Sequence, residues 1–187
     1  EYTNKIIQEK GFSSIVLNHN AFLDVPLSAP FVPGGNKTIA KDSFSKIPIF
    51  KWFYKRGGVL VNRKNERSRI KGYEEMRMVL ASGMHMSIYP EGTRNRTSEP
   101  LKAFYDGAFK ISIETQTPIA PMLLLNARKM LPRKHPFMFS PGVLQVICAD
   151  IISPENYTMD DVEAYKQVVF NAMNNQLIQF QHDDKID

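Results

Sequence analysis

The sequence predicts an α/β fold, a mixed, largely parallel central sheet flanked by helices in one domain over residues 1–187. Three observations point there. Short β-branched and apolar runs recur along the chain, amphipathic helical stretches separate most of them, and no repeat or low-complexity tract interrupts the alternation. At 187 residues with 43% hydrophobic and 23% charged side chains, the chain is long enough for one sizeable core and ordinary in composition.

The strands read in order as residues 13–19 (SSIVLNH), 37–41, 58–62 (GVLVN), 86–89, 119–124 and 143–148. Residues 66–82 form a helical pattern with Ile70, Tyr73, Met76 and Leu80 on one face and Gly83 as its stop. A second helix is expected within residues 101–115. The last begins at Thr158, with Asp161 three positions on as a capping-box variant, and carries a stripe of Val162, Tyr165, Val169, Met173 and Phe180. In parallel sheets of this kind, sites gather at the carboxyl ends of the strands.

The formal charge of +5 attracts anionic partners without choosing among phosphate esters, acidic membranes and nucleic acid. The single cysteine, Cys148, excludes an intrachain disulfide and lies outside every motif, as a core residue would. No apolar run reaches the roughly 18 residues needed to span a bilayer. The chain begins at Glu1 rather than Met, so an N-terminal membrane segment ahead of it is allowed for. No His/Cys cluster has metal-ligand spacing and no glycine-rich nucleotide loop appears, so no metal is expected.

Two constellations carry chemistry. Asn18-His19-x4-Asp24 follows an apolar strand and precedes Pro26, a residue suited to a helix start. On a continuous helix, residues five apart point about 140° away from each other, so a His19–Asp24 hydrogen bond requires a turn. One reading is an imidazole base oriented by a carboxylate, with the tautomer that leaves Nε2 able to take a proton. The other is a capping or core-linking histidine. The second constellation is Pro90-Glu91-Gly92-Thr93-Arg94, a turn after a strand. Gly92 permits close backbone approach, Thr93 and Arg94 offer a hydroxyl and a forked cation to phosphate oxygens, and Glu91 is placed to orient Arg94 or another group. A solvated surface turn is the alternative. Lys41 and Arg63 end two further strands.

Together these residues resemble the glycerolipid acyltransferase family, specifically the lysophosphatidic acid acyltransferases. Asn18, His19 and Asp24 match the first block, Gly58–Arg63 the second, Pro90–Arg94 the third, and Thr117-Pro118-Ile119-Ala120-Pro121 the fourth, in family order. Ala40, Lys41, Ile47 and Pro48 also have a family look. The resemblance covers roughly residues 13–125 and implies a glycerolipid acyltransferase-like domain. It further implies His19 and Asp24 as the catalytic pair, and Lys41, Arg63, Glu91, Gly92, Thr93 and Arg94 as the substrate-binding set. The donor would be an acyl thioester of coenzyme A or of acyl carrier protein, with no other cofactor. The acceptor would be the sn-2 hydroxyl of lysophosphatidic acid at a membrane surface, on its cytoplasmic face. Three departures bear on acceptor preference: Asn62 where Asp is frequent, Tyr105-Asp106 where the family has Lys between Phe and Gly, and Asn95-Arg96 after the third block.

Other classes remain on the page. They are an acyltransferase for another lysolipid such as a lyso-aminolipid, a lipid-binding module of the same fold without turnover, and a nucleic-acid binder, which the absence of any binding motif disfavours. The aromatic–basic stretch of Phe44, Ile47, Ile49, Phe50, Trp52, Phe53 and Tyr54 with Lys46, Lys51, Lys55 and Arg56 reads either as an interfacial docking surface or as a core helix with a basic outer face.

Overall fold

A computed structural model describes residues 14–21, 24–46, 48–130 and 140–183. Ser13, Phe22, Leu23 and Ile47, and the side chains of Lys46, Pro48, Ile49 and Phe50, lie outside what is described. Among the described residues six strands form one sheet: β1 (Ser14–Leu17), β2 (Asn36–Lys41), β3 (Gly58–Val61), β4 (His85–Ile88), β5 (Ile119–Leu125) and β6 (Gln145–Cys148). Their order is β3-β2-β4-β1-β5-β6, parallel throughout except for the antiparallel β5–β6 pair. This is the mixed, largely parallel sheet that the alternation predicts.

Among the described residues six α-helices connect or cover the strands: α1 (Asp24–Ser28), α2 (Pro48–Gly57), α3 (Glu66–Ala81), α4 (Gly107–Thr115), α5 (Ala127–Met130) and α6 (Val162–Asp183). Right-handed crossovers with this strand order place α1 and α2 on one face of the sheet and α3 and α4 on the other. The packing agrees. Val16, Val59, Val61, Met86 and Ile88 form one core with side chains of α3, α4 and α6. Ile15, Leu17, Ala120, Met122 and Leu124 point to the opposite face. The central strands are buried on both faces, which is why they read as continuous apolar runs.

Helix α6 begins as the sequence predicts. Thr158 and Asp161 form a complete capping box ahead of it, with Thr158 N and Oγ1 donating to Asp161 Oδ2 at 2.8 and 2.6 Å. Its buried stripe adds Leu177 to the expected residues. One expectation needs correction. Ile70 is 59% exposed, and the face of α3 turned to the core is Gly72, Met76, Val79 and Leu80. The helix meets β3 through Gly72, where an added Cβ would lie 2.3 Å from Val61 Cγ2, so the contact point carries no apolar side chain to mark it. The helix expected within residues 101–115 is present as Gly107–Thr115. The N–H groups of Lys102 and Tyr105 are taken by Glu91 Oε2 and the Pro90 carbonyl, which holds the segment before α4 extended.

Gly72→Ala should therefore lower stability by about 1–3 kcal/mol from overpacking, although alanine favours helix by about 1 kcal/mol. Thermal melts should show the loss and its partial recovery in the Val61→Ala/Gly72→Ala double variant. A single variant as stable as the parent would mean that α3 does not touch β3 through this residue.

Candidate active site

The site is assembled where β1 and β4 end. Asn18, the first residue beyond β1, is buried and continues the ladder with its side chain: Nδ2 donates to the Leu124 carbonyl at 3.1 Å and Oδ1 accepts from Leu124 N–H at 2.7 Å. The chain can then turn away from the sheet without leaving backbone groups of β5 unpaired. His19 follows. Its N–H donates to Glu91 Oε1 at 2.8 Å and its carbonyl accepts from Asn95 N–H at 2.7 Å, so the loop after β4 grips the histidine backbone on both sides.

The turn that a His19–Asp24 contact requires is present. Asp24 opens α1, is fully buried, and collects three hydrogen bonds on Oδ2: from His19 Nδ1 at 2.8 Å, Asn20 N–H at 2.5 Å and Ala21 N–H at 2.7 Å. A carboxylate so placed is held by donors rather than by water, and the first turn of α1 adds to its stabilisation. With Nδ1 facing the carboxylate, the neutral imidazole carries its proton on Nδ1 and its lone pair on Nε2. The imidazole remains 19% exposed. One wall beside it is Tyr89, whose ring centroid lies 4.8 Å away. The Tyr89 hydroxyl meets Ser28 Oγ at 2.8 Å, and burial raises its pKa, so that wall is uncharged.

In the loop Pro90–Asn95, Glu91 orients the His19 backbone, one of the two roles its place in the turn suggests. Glu91 is in the substrate-binding set by resemblance, yet it is fully buried and its two oxygens accept from the His19 and Lys102 amides at 2.8 and 3.0 Å. It braces the site from behind and has no free oxygen to offer a ligand. Burial pushes its carboxyl above the usual carboxylate range, and the two amides oppose that shift. Gly92 has φ +69° and is squeezed between side chains: a Cβ there would lie 2.6 Å from the Tyr105 ring and 3.0 Å from Arg63 Nη1. Arg63, two residues past β3, donates through Nη1 to the Gly92 carbonyl. Thr93 is exposed and its hydroxyl accepts from Lys102 Nζ at 2.8 Å. Arg94 is half-buried on the same loop.

His19, Asp24, Arg63 and residues 91–94 thus converge on one carboxyl edge. Lys41 ends β2 on that same edge, two strand steps from β1 or about 10 Å of sheet. Among the described residues it makes no hydrogen bond or ion pair. Three participants escaped the sequence reading: Lys102, Arg128, which donates through Nη2 to the Asn95 carbonyl at 2.8 Å, and Tyr105 as a ring packed on Gly92. Asn95, read as a departure, is fully buried. It binds the carbonyls of Glu99 and Pro100 and the amide and hydroxyl of Thr97, closing the loop. Among the described residues no group of three His, Cys, Asp or Glu side chains is arranged to hold a metal ion.

Cys148 lies on β6, and burial with the Asp150 charge pushes its thiol up to about 11. It stays neutral at pH 8, so it should react slowly with a thiol reagent there, and a fast reaction would contradict that environment. Glu91→Gln must turn an NH₂ toward one of two amide donors. It should cost about 1–3 kcal/mol in a denaturant melt, and an unchanged midpoint would show that Glu91 does not brace His19.

Comparison with known proteins agrees with this architecture. The profile described as Acyltransferase matches residues 2–125. A 1-acyl-sn-glycerol-3-phosphate acyltransferase of Chlamydomonas reinhardtii is 29% identical over 168 residues, covering 87% of this chain and 49% of that protein. One from Saccharomyces cerevisiae is 26% identical, covering 90% and 58%. The alpha form from Mus musculus is 28% identical, covering 85% and 56%. The chain thus spans about half the length of these curated relatives. The crystal structure of the 1-acyl-sn-glycerophosphate (LPA) acyltransferase PlsC from Thermotoga maritima superposes with a TM-score of 0.78 at 21% identity, over 95% of this chain and 70% of that one, and so shares its fold. With the profile matching well over half of its residues, the chain belongs to the acyltransferase family.

Proposed function

We propose that this chain transfers a fatty acyl group from a thioester to the sn-2 hydroxyl of lysophosphatidic acid at a membrane surface. The observation that carries the reading is the 2.8 Å contact from His19 Nδ1 to the buried Asp24 carboxylate, which leaves the imidazole edge bearing Nε2 for a substrate. Its similarity to 1-acyl-sn-glycerol-3-phosphate acyltransferases supports the acceptor class.

In this mechanism His19 Nε2 removes the hydroxyl proton as the acceptor oxygen attacks the thioester carbonyl carbon. A C–O bond forms and gives a tetrahedral intermediate. Its collapse breaks the C–S bond, and the imidazolium returns the proton to the departing thiolate. Asp24 stabilises the imidazolium between the two transfers. No acyl group resides on the protein. The donor thiol is coenzyme A or acyl carrier protein. Arg94 and Lys41 neutralise the acceptor phosphate, with Arg63 beside them, while Gly92 and Thr93 shape the turn between. A cavity of about 130 Å³ between α1, α2, β2 and β4, lined by Val25, Ala29 and Phe53 among others, reaches Ser28, the hydrogen-bond partner of Tyr89. Its apolar lining suits part of a hydrocarbon chain and places it on the His19 side of the sheet.

Purified protein should release thiol from the donor only when lysophosphatidic acid is present. His19→Ala should lower turnover by roughly 10³-fold, near the middle of the general-base range, with little change in melting temperature. Asp24→Asn should lower it severely as well, because an amide neither stabilises imidazolium nor accepts all three hydrogen bonds on one oxygen without reorienting. Arg94→Ala and Lys41→Ala should raise the acceptor KM more than the donor KM. Undiminished turnover in His19→Ala would remove it from the mechanism. A donor-selective defect in Arg94→Ala would reassign that cation to the thioester's phosphates, and preference for an acceptor without a phosphate monoester would replace lysophosphatidic acid with another lysolipid.

A further inference from the structure

The positive charge of this chain is concentrated in one stretch. Residues 41–71 hold 10 of its 24 Lys and Arg but only 2 of its 19 Asp and Glu. That is a net +8 within 31 residues, whereas the remaining 156 carry 14 cations against 17 acids. The stretch is one structural unit: it runs from the end of β2 through α2 and β3 into α3, and β3 is an edge strand of the sheet. The excess therefore sits along one margin of the molecule.

Side-chain placement sharpens the asymmetry. On α2, Tyr54 is buried and Phe53 and Gly57 line the cavity, while Lys51, Trp52, Lys55 and Arg56 all face outward. At 100° per residue these four positions share an arc of about 140°. Trp52 is 69% exposed at the middle of that arc, with the Arg56 guanidinium 5.0 Å over its ring. Among the described residues none of Lys51, Lys55, Arg56 or Lys64 pairs with a carboxylate. Cations elsewhere do: Lys37 with Glu75, Arg77 with Glu114, and Lys166 with Asp106 and Glu163. What sets Trp52 apart from other exposed apolar side chains is the run of cations around it, which no described carboxylate neutralises and which repels itself.

We infer that the outer face of α2, with the cationic margin at β3, docks the domain on the anionic headgroups of a lipid surface, with Trp52 as its interfacial anchor. The chemistry selects that occupant. Tryptophan settles at the headgroup level of a bilayer, where its apolar ring and N–H are both satisfied. Each Lys or Arg near an anionic leaflet adds about 1 kcal/mol of attraction that salt screens. No described helix is long and apolar enough to cross a membrane, and a contact made through surface cations and one indole is itself peripheral and reversible. The inference rests on the acyl-transfer reading in one respect: a lipid acceptor gives the domain a reason to sit there. Lys41 and Arg63 belong to the same stretch and lie at the ends of β2 and β3 on the carboxyl edge that carries His19, so docking by this margin brings the site close to the headgroups.

The test compares Lys51→Glu/Lys55→Glu with Arg77→Glu/Lys110→Glu, two variants of equal net charge altered on different layers. Co-sedimentation uses vesicles of phosphatidylcholine with 30–40% phosphatidylglycerol (roughly the anionic content at which such attraction is measurable) and vesicles of phosphatidylcholine alone. The unmodified protein should bind the anionic vesicles, lose binding as salt rises, and bind neutral vesicles weakly. The α2 variant should bind roughly thirtyfold less, as expected for two cations lost from the surface, and the control should stay within a few-fold of the parent. Trp52→Ala should lower binding to both vesicle types, and because Trp52 is exposed, its melting temperature should not move. Acylation of an acceptor embedded in anionic vesicles should fall in the α2 variant, while acylation in neutral detergent micelles should not. Equal losses in both double variants, or vesicle binding indifferent to salt, would overturn the inference. So would intact vesicle binding with a raised donor KM, which would give the margin to the thioester's phosphates. Vesicle binding is read without turnover, so a protein inactive on lysophosphatidic acid would overturn the proposed reaction while this surface is judged separately.

Discussion

The backbone of His19 is held between Glu91 Oε1 and Asn95 N–H, and its imidazole is held by Asp24. The first two contacts come from the loop after β4 and the third from the first residue of α1, so one loop distant in sequence and one nearby helix start fix His19 at three points, two on its backbone and one on its ring. The sheet makes this possible by placing β4 next to β1 in parallel, so both chains emerge on the same edge. The remaining features serve that grip. Asn18 spends its amide on Leu124 so that the chain can leave β1, and Asn95 folds its own loop through Thr97, Glu99 and Pro100. Lys102 N–H supplies the second donor that keeps the buried Glu91 carboxylate satisfied.

Burial is divided to match chemistry. Asp24 and Glu91 are fully buried and hydrogen-bonded, Tyr89 is a neutral wall, and the imidazole between them keeps a fifth of its surface in solvent. The carboxylates are therefore committed to geometry, leaving one basic nitrogen at the surface. Around it the cations of the loop and of the β3 margin give the edge a positive potential, the feature on which the proposed acceptor and lipid contacts rest.

Much of this was legible in the sequence because local chemistry and fold agree there. The His19–Asp24 spacing demanded a turn and the turn exists. The Thr158–Asp161 capping box is complete, and strand–helix alternation gave the sheet. What was missed depended on contacts between segments far apart. Glu91 was read from its turn as orienting Arg94 or another group, and nothing local says that the groups are the amides of His19 and Lys102. The range 101–115 did contain a helix but left its start open, because the hydrogen bonds that hold Lys102 and Tyr105 extended ahead of it come from Glu91 and Pro90. Ile70 was placed in the core because helical spacing leaves the phase of a stripe loose when the real contact is a glycine. The aromatic–basic stretch offered two readings, and helical spacing alone does not say which aromatic faces the core: in the described part of α2, Tyr54 faces in and Trp52 faces out.

The central physical claim is that Asp24 holds the His19 imidazole with its proton on Nδ1 and its lone pair on Nε2. Nitrogen-15 NMR of histidine-labelled protein, assigned by comparison with His19→Ala, reads that tautomer directly. The account predicts a protonated, strongly hydrogen-bonded Nδ1 and an unprotonated Nε2 in the neutral ring, with the pattern disturbed in Asp24→Asn. A neutral His19 carrying its proton on Nε2 would contradict it, because the ring would then have no basic nitrogen to present to an acceptor hydroxyl.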